Sequence, residues 1–110
     1  MVVTPSELQT LTAVKEINPA YYQALLKAAE ILVPRSKKYS TGKDPFINFK
    51  FLGSILQEKT EETFKYYVGI KFARALVQAG DFEDESSVDT LLDLANYALL
   101  WAGYEESKNV

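Results

Sequence analysis

Apolar residues recur along the chain at helical spacing, in segments that are separated by proline, glycine and charged residues. In the second segment they follow one another every few positions, at Tyr22, Leu25, Leu26, Ala29 and Leu32. That spacing is typical of one face of an α-helix, and no stretch alternates apolar and polar residues as a half-buried strand would. The pattern predicts an all-α fold, a helical bundle of about five helices, in a single domain over residues 1–110.

Capping signals indicate where the first two helices begin. Thr4-Pro5 and Asn18-Pro19 each place a capping side chain directly before a proline, which is favoured at the first helical position. We expect residues 1–17 to form an N-terminal helical arm and residues 18–105 to form the helical core. Pro34 should kink or end the second helix because its ring clashes with the preceding turn, so the basic segment after it is predicted to be mostly loop.

Local signals also bound the third and fourth helices. Asp44-Pro45 repeats the combination of cap and proline, and it predicts a third helix with Phe46 and Phe49 turned inward. Thr60 caps the fourth helix and Gly80 ends it, as glycine commonly does at a helix C-terminus. The acidic stretch DFEDESS then separates the fourth helix from the fifth.

The fourth helix is apolar on two nearly opposite sides, unlike a surface helix with one broad polar face. One side is formed by Phe64, Val68, Phe72 and Ala75, and the other by Tyr66, Ile70, Ala73 and Val77. Between them lies a narrow polar strip of Tyr67, Lys71, Arg74 and Gln78. We expect this helix to be covered on two sides, either at the centre of the bundle or at a dimer interface.

The fifth helix, from a Ser86 cap to near Gly103, is also apolar around most of its circumference. Its narrow polar strip consists of Asp89, Asp93 and Asn96. Asp89 follows Ser86 by three residues and fits the acidic member of a capping box. Asp93 fits a structural salt bridge from Lys71 or Arg74, although such a bridge is a weak source of stability because burial removes both charges from water.

The composition excludes several classes of site. The 110 residues contain no cysteine and no histidine, which removes disulfides, thiolate metal sites, cysteine nucleophiles and the commonest general base. A bound metal would therefore be a hard cation held by oxygen, such as Mg²⁺. No apolar run approaches the roughly 20 residues of a membrane span, and the N-terminus has no basic leader, so we expect a cytoplasmic protein without a membrane partner.

Charge is distributed unevenly along the chain although the net charge is only −3. Five basic residues and one acid lie between residues 35 and 50, whereas eight acids and one base follow Arg74. Either the two regions pack together, within the chain or across a dimer, or an anion-binding loop faces a carboxylate cluster. Nucleic acid is an unfavourable partner, since the acidic end would repel its phosphates.

The basic loop and the polar strips together contain the kinds of side chain with which proteins bind nucleotides. Lysine and arginine suit phosphate oxygens, aromatic rings stack on a base, and the turn around Gly42 leads towards a helix N-terminus. The predicted nucleotide-binding residues are Tyr39, Lys43, Phe46, Asn48, Lys71, Arg74 and Asn96. The plainer alternative is a solvated basic loop whose phenylalanines anchor the third helix.

Asp89 and Asp93 lie one helical turn apart, and we predict that they hold Mg²⁺. Without histidine or cysteine, a hydrolase of this composition would have to use a metal-activated water. Acidic pairs at this spacing are common on helices, so the capping role of Asp89 and the salt bridge of Asp93 remain as alternatives.

Three segments, KKYSTGKDPFINF, IKFARAL and DTLLDLANYALL, resemble the MazG-like all-α nucleotide pyrophosphohydrolases, and in particular small phage proteins with YG…NF, K-x-A-R and D-x-x-x-D…Y-A motifs. The resemblance covers about two-thirds of the chain, from Ile31 to Trp101. It implies a domain that dimerises or tetramerises and hydrolyses a nucleoside triphosphate to the monophosphate and pyrophosphate with Mg²⁺. Asp93 matches the last acid of the family's E-x-x-D helix, whereas Thr90 stands where the glutamate would be.

Other departures from the family's pattern bear on catalysis. Lys71 and Arg74 occupy a region in which the enzymes place carboxylates, and Glu58 and Glu61 have the E-x-x-E spacing only at a helix entry. The sequence therefore favours a protein that binds a nucleotide or a nucleotide-derived signal, with or without hydrolysis. Two alternatives stand beside it: a non-catalytic binder that sequesters a cyclic nucleotide, and an oligomeric interaction protein whose polar strips are interface salt bridges.

Overall fold

The computed structural model describes residues 2–39, 44–77 and 85–109, and the side chains within them except those of residues 38, 39, 85 and 86. Five α-helices account for nearly all of these residues, and no strand occurs among them. They are α1 (Pro5–Ile17), α2 (Pro19–Tyr39), α3 (Ile47–Leu56), α4 (Thr60–Val77) and α5 (Glu85–Ser107). The predicted all-α fold is confirmed. Within the described ranges, no helix combines the length and the apolar character that crossing a membrane requires.

α1 and α2 have the N-terminal caps that the sequence predicts. Thr4 Oγ1 accepts the backbone N–H of Glu7 at 3.1 Å, and Asn18 Oδ1 accepts that of Tyr21 at 2.9 Å. Each oxygen satisfies an N–H group that a helix N-terminus leaves without an intrahelical partner. Asn18 also ends α1, since its own N–H donates to the Val14 carbonyl. α1 has no buried residue and packs mainly on α2.

The second helix differs from its prediction. α2 runs through Pro34 and ends at Tyr39, so the expectation that the residues after Pro34 are mostly loop is wrong. A proline inside a helix removes a backbone hydrogen bond, but α2 also packs on α5. There Ala28 is buried, and the Arg35 guanidinium lies 3.2 Å from the Asp93 carboxylate. These tertiary contacts offset the local cost of the proline.

Hydrogen bonds stabilise both ends of α3. Asp44 Oδ1 accepts the backbone N–H of Phe46 at 2.9 Å, and Asp44 Oδ2 lies 2.6 Å from Lys50 Nζ. The hydrogen bond from Lys50, followed by that from Phe46, holds the pKa of Asp44 below its ordinary value. At the other end Gln57 adopts a left-handed conformation with φ of 56°, and its N–H donates to the Gly53 carbonyl. This left-handed residue turns the chain from α3 towards α4.

Gly53 lies at this turn and has no room for a side chain. A Cβ at residue 53 would meet backbone atoms, with the Glu58 carbonyl oxygen at 3.0 Å and the Thr60 nitrogen at 3.4 Å. We expect Gly53→Ala to lower the free energy of unfolding by about 1–3 kcal/mol, because the backbone must move to accept the methyl group. Urea unfolding measures this loss.

Gly103→Ala is the matched control for that substitution. A Cβ at residue 103 would lie 3.7 Å from Phe46 Cζ, an ordinary contact. Alanine is favoured over glycine inside a helix by about 1 kcal/mol, so this variant should be as stable as the parent protein or more stable. An unfolding midpoint that is the same for Gly53→Ala and the parent would contradict the account of this turn.

An aromatic cluster centred on Phe64 joins α3, α4 and α5. Phe64 is 0% exposed, and its ring centroid lies 4.2 Å from that of Phe49 and 5.4 Å from that of Tyr104. The rings of Phe46 and Trp101 lie 6.5 and 6.4 Å from Phe64. Aromatic pairs at these separations attract one another beyond the effect of area burial. The cluster therefore fixes α3 against α4 and α5, and the predicted inward orientation of Phe46 and Phe49 is confirmed.

The two apolar sides of α4 differ in exposure. On the first side Phe64 is buried and Val68 is half-buried, although Phe72 near its end is 55% exposed. The second side is exposed, with Tyr66 at 67% and Val77 at 87%. Within one chain α4 is thus covered on one side only, so it does not lie at the centre of the bundle, and coverage of its second side at a dimer interface stays a prediction. The predicted helix end at Gly80 and the acidic loop after it lie outside the described residues.

α5 is longer than the sequence predicts. It begins at Glu85, within the expected acidic loop and ahead of the expected cap, and it passes Gly103 to end at Ser107. The next residue, Lys108, pairs with Glu61 at the start of α4. The hydrogen bond from Lys108 lowers the pKa of the Glu61 carboxyl. These contacts hold the C-terminal end of α5 against α4.

Candidate functional site

A cavity of about 490 Å³ lies where α2, α3 and α5 meet, and α4 contributes one ring to its wall. Its apolar and aromatic lining consists of Leu32, Pro45, Phe49, Leu52, Tyr67, Tyr97 and Leu100. Its polar lining consists of Arg35, Ser36, Asn48, Asp93 and Asn96. A volume of about 300–1,000 Å³, a mostly apolar wall and a few convergent polar groups are typical of small-molecule sites. We refer to it as the central cavity.

Stacked tyrosines form one wall of the central cavity. Tyr67 from α4 and Tyr97 from α5 have ring centroids 4.9 Å apart and planes within 9° of parallel. Phe49 from α3 meets them edge-on, at centroid distances of 5.9 and 6.4 Å. Because three helices supply the three rings, the packing of α3, α4 and α5 positions this wall. Such a wall offers apolar surface and ring edges to a planar ligand.

Asp93 pairs with cations from two other helices. Its Oδ1 lies 3.2 Å from Arg35 Nη1 of α2, and its Oδ2 lies 3.2 Å from Lys71 Nζ of α4. The side chains of Asp93 and Lys71 are 17% and 18% exposed, whereas that of Arg35 is 57% exposed. The predicted salt bridge between Lys71 and Asp93 is therefore confirmed. The cluster carries one net positive charge, and its guanidinium is the group that reaches solvent.

Asn96 links α5 to α2 beside this cluster. Its side chain is buried, and Nδ2 donates to the Ala28 carbonyl oxygen at 2.9 Å. An asparagine amide carries two N–H donors and one acceptor oxygen, and this bond uses one of the two donors. Asn96 lines the central cavity, and Asn48 of α3 lines it as well.

The structure brings together some of the predicted site residues and separates others. Asn48, Asp93 and Asn96 line the central cavity. Lys71 does not line that cavity, but its Nζ lies 3.2 Å from Oδ2 of Asp93, which does. Phe46 belongs to the aromatic cluster, where its ring meets that of Tyr104 at 5.5 Å.

The remaining predicted residues lie away from the central cavity or outside the described side chains. Arg74 and Asp89 are exposed and do not line it. The side chain of Tyr39, the whole of Lys43 and the side chain of Ser86 fall outside the described part of the protein. The nucleotide roles of Tyr39 and Lys43 and the Ser86 capping box therefore stay predictions.

The carboxylates that the structure describes are not gathered into a cluster of three or more metal ligands. Asp93 is already paired with two cations, and Asp89 is exposed. Thr90, at the position where the resembling enzymes have glutamate, is only 5% exposed. The metal-binding roles of Asp89 and Asp93 stay predictions.

Arg35 and Ser36 are cavity residues that sequence reasoning missed. Both lie in the segment after Pro34 that the sequence predicts to be mostly loop. The signal that would have found them is the apolar spacing of α2 continued through the proline, which places Arg35 and Ser36 one turn beyond Leu32 and two turns beyond Ala28. Of the stacked tyrosines, the sequence pattern places Tyr67 only in the polar strip of the fourth helix and Tyr97 only at the edge of the polar strip of the fifth.

The fold and the central cavity together define a class of protein: a helical-bundle domain with an aromatic pocket that carries a cationic group. Comparisons of the chain with protein-family models, with curated proteins and with solved structures give no significant match. The function is therefore argued from the geometry of the central cavity.

Proposed function

We propose that this protein binds a nucleotide or a nucleotide-derived signal in the central cavity. The observation that supports the proposal is the meeting of stacked tyrosines, two asparagine amides and an arginine guanidinium around about 490 Å³. Aromatic side chains bind bases by stacking, and amides offer both donors and acceptors to the edge of a base. A guanidinium binds phosphate oxygens through two parallel hydrogen bonds.

The charges around the cavity favour an anionic ligand. Arg35 is more than half exposed, whereas the other partner of Asp93, Lys71, is largely withdrawn from water. The guanidinium of Arg35 is therefore free to turn towards a phosphate while Lys71 continues to neutralise Asp93. An exposed ion pair contributes only about 0–1 kcal/mol, so this exchange has a low cost.

The proposed function is binding of the nucleotide. In a catalytic version of this proposal, the bound nucleotide would also be hydrolysed, as MazG-like enzymes do. Hydrolysis would need Asp89 and Asp93 to hold Mg²⁺, whereas Asp93 is engaged by two cations from its own chain. This arrangement favours a binder without turnover, such as a protein that sequesters a cyclic nucleotide.

Thermal unfolding in the presence of ligands tests the proposal. The full chain is heated with nucleoside mono- and triphosphates, cyclic mononucleotides and cyclic dinucleotides, each with and without Mg²⁺. A ligand present at a hundred times its Kd stabilises the folded state by about 2.7 kcal/mol, which for a domain of this size raises Tm by roughly 10 °C. No shift with any member of the panel would contradict the proposal. A shift that depends on Mg²⁺ and is accompanied by pyrophosphate release would identify the catalytic form.

The two arginines of the chain allow a matched test of the site. Arg35 and Arg74 are the only arginines in the sequence, and of the two only Arg35 lines the central cavity. Arg35→Gln is expected to weaken ligand binding about 10- to 100-fold, since it removes a charge-assisted hydrogen bond of about 1.5–3 kcal/mol. Arg74→Gln makes the same change of charge and should leave Kd within about twofold. Weakened binding in Arg74→Gln with normal binding in Arg35→Gln would place the ligand elsewhere.

A second function, that of an oligomeric interaction protein, is favoured by a separate observation. The sides of α4 and α5 that face away from α2 and α3 are apolar and exposed. Such surfaces on a small domain mark sites of association.

A further inference from the structure

We propose that the central cavity selects ligands that carry a single phosphate group, and that Asp93 is the specificity-determining residue that disfavours di- and triphosphates. This inference rests on the proposed function and names the class of nucleotide that the site would take. It gives Asp93 a role in the choice of ligand, in addition to its salt bridges within the bundle. The number of charged groups at the cavity and their pairing lead to this selectivity.

Arg35 is the one cationic side chain among the described residues that line the central cavity. Two lysines lie next to lining residues in the chain. Lys37 follows Ser36, is exposed and does not line the cavity. Lys50 pairs with Asp44, with Nζ 2.6 Å from Oδ2, and does not line the cavity either. Within the described part of the protein, the cavity therefore offers one guanidinium to an anionic ligand.

The cluster of Arg35, Lys71 and Asp93 has a place for one further anionic group. Asp93 Oδ1 lies 3.2 Å from Arg35 Nη1, and its Oδ2 lies 3.2 Å from Lys71 Nζ. One carboxylate thus serves two cations. A phosphate group that binds Arg35 would give each cation an anion of its own, while Lys71 keeps Asp93. Charged groups that leave water are tolerated when each has a partner, and one phosphate group satisfies this condition.

A second phosphate group would meet Asp93 instead of a cation. Because Arg35 Nη1 lies 3.2 Å from Asp93 Oδ1, a phosphate on the guanidinium is bound close to that carboxylate. The next phosphate of a di- or triphosphate then either approaches Asp93 or extends into water. Like charges repel strongly where little water separates them, and only 17% of the Asp93 side chain is exposed. Each further phosphate therefore adds repulsion, and the described lining adds no second cation to offset it.

Isothermal titration calorimetry of the full chain with ligands of rising phosphate number tests this selectivity. The probes are adenosine, AMP, ADP and ATP and the corresponding guanosine series, all without Mg²⁺, which would neutralise part of the phosphate charge. We expect affinity to rise about 10-fold or more from nucleoside to monophosphate, because a charge-assisted hydrogen bond to Arg35 forms. Affinity should then fall roughly threefold with each further phosphate. A triphosphate that binds as tightly as the monophosphate, or more tightly, would overturn the inference.

Asp93→Asn removes the charge at nearly constant volume and tests the role of this residue in the choice of ligand. We expect the ratio of the triphosphate Kd to the monophosphate Kd to fall from roughly 10 in the parent protein to about 1 in the variant. A merely structural residue would weaken the binding of both ligands alike, so an unchanged ratio would overturn the role given to Asp93. The titrations are made at a temperature at which far-UV circular dichroism shows the variant to be folded.

Glu106→Gln is the matched control for this variant. It also removes one negative charge from α5, but Glu106 is exposed and does not line the central cavity. The ratio of the two Kd values should therefore equal that of the parent protein. A ratio that falls equally in Glu106→Gln and Asp93→Asn would show that the net charge of the protein, rather than Asp93, sets the selectivity.

The same titrations separate a failure of this inference from a failure of the proposed function. Binding that strengthens with every added phosphate would keep nucleotide binding and overturn the selectivity. The selectivity would also be overturned if neither series bound while a cyclic dinucleotide, which carries two phosphates, raised Tm. Absence of binding by every nucleotide would overturn both the selectivity and the proposed function.

Discussion

Phe64→Ala is expected to lower the free energy of unfolding by about 3–5 kcal/mol, because it removes a fully buried ring and leaves a cavity. Phe64 is 0% exposed and meets rings from α3 and α5, the nearest of them that of Phe49 at 4.2 Å. For a domain of this size the loss corresponds to a fall in Tm of roughly 12–20 °C. Such a loss is a large part of the about 5–15 kcal/mol that stabilises a typical domain. Differential scanning calorimetry at a fixed protein concentration measures it.

Phe51→Ala is the control for this substitution. The chemical change is identical, but Phe51 is 65% exposed, so the expected loss is within about 1 kcal/mol. Similar losses from the two variants would show that the aromatic cluster does not hold α3 against α4 and α5.

Asp93→Ala is expected to lower the free energy of unfolding by about 2–4 kcal/mol, because it leaves two cations without their shared anion. The unpaired ammonium of Lys71 is expected to account for the larger part of this loss, since only 18% of its side chain is exposed. Arg35 is more than half exposed and contributes less. Urea unfolding of Asp93→Ala, of Lys71→Met and of the double variant gives the coupling between the two residues, and we expect the double variant to lose less than the sum of the single losses.

Asp89→Asn and Asp93→Asn separate this structural role from a metal-binding role. Asp89 lies one turn before Asp93 on α5 and is exposed, so its substitution should change stability by no more than about 0.5 kcal/mol. Asp93→Asn should be clearly destabilising. If both variants kept the stability of the parent and both abolished pyrophosphate release, Asp93 would be a metal ligand and the structural account of it would be wrong.

The main features of the fold could be predicted because their causes are local in the sequence. Thr4 and Asn18 cap helices as their residue types and the following prolines indicate. Helical spacing of apolar residues predicted the inward face of α3. The course of α2 through Pro34 could not be predicted in this way, because it depends on contacts with α5, a helix far away in the sequence.

The candidate site was predictable only in part. The sequence identified Asp93 and Asn96 by their position on one strip of an apolar helix, and both line the central cavity. It missed Arg35, because the end of α2 was misplaced. Stacking of Tyr67 on Tyr97 depends on how α4 and α5 pack, and residue spacing within one helix carries no information about that packing.

Titration of ¹⁵N-labelled protein with nucleotides, followed by ¹H–¹⁵N correlation spectra, tests ligand binding in the central cavity most directly. The probes are ATP, a 3′,5′-cyclic mononucleotide and a cyclic dinucleotide, each with and without Mg²⁺. We predict that at least one of them shifts the side-chain NH₂ signals of Asn48 and Asn96 to saturation, and that Arg35→Gln weakens the response. Unchanged side-chain signals with every probe, or saturable shifts confined to residues outside the central cavity, would contradict the proposed function.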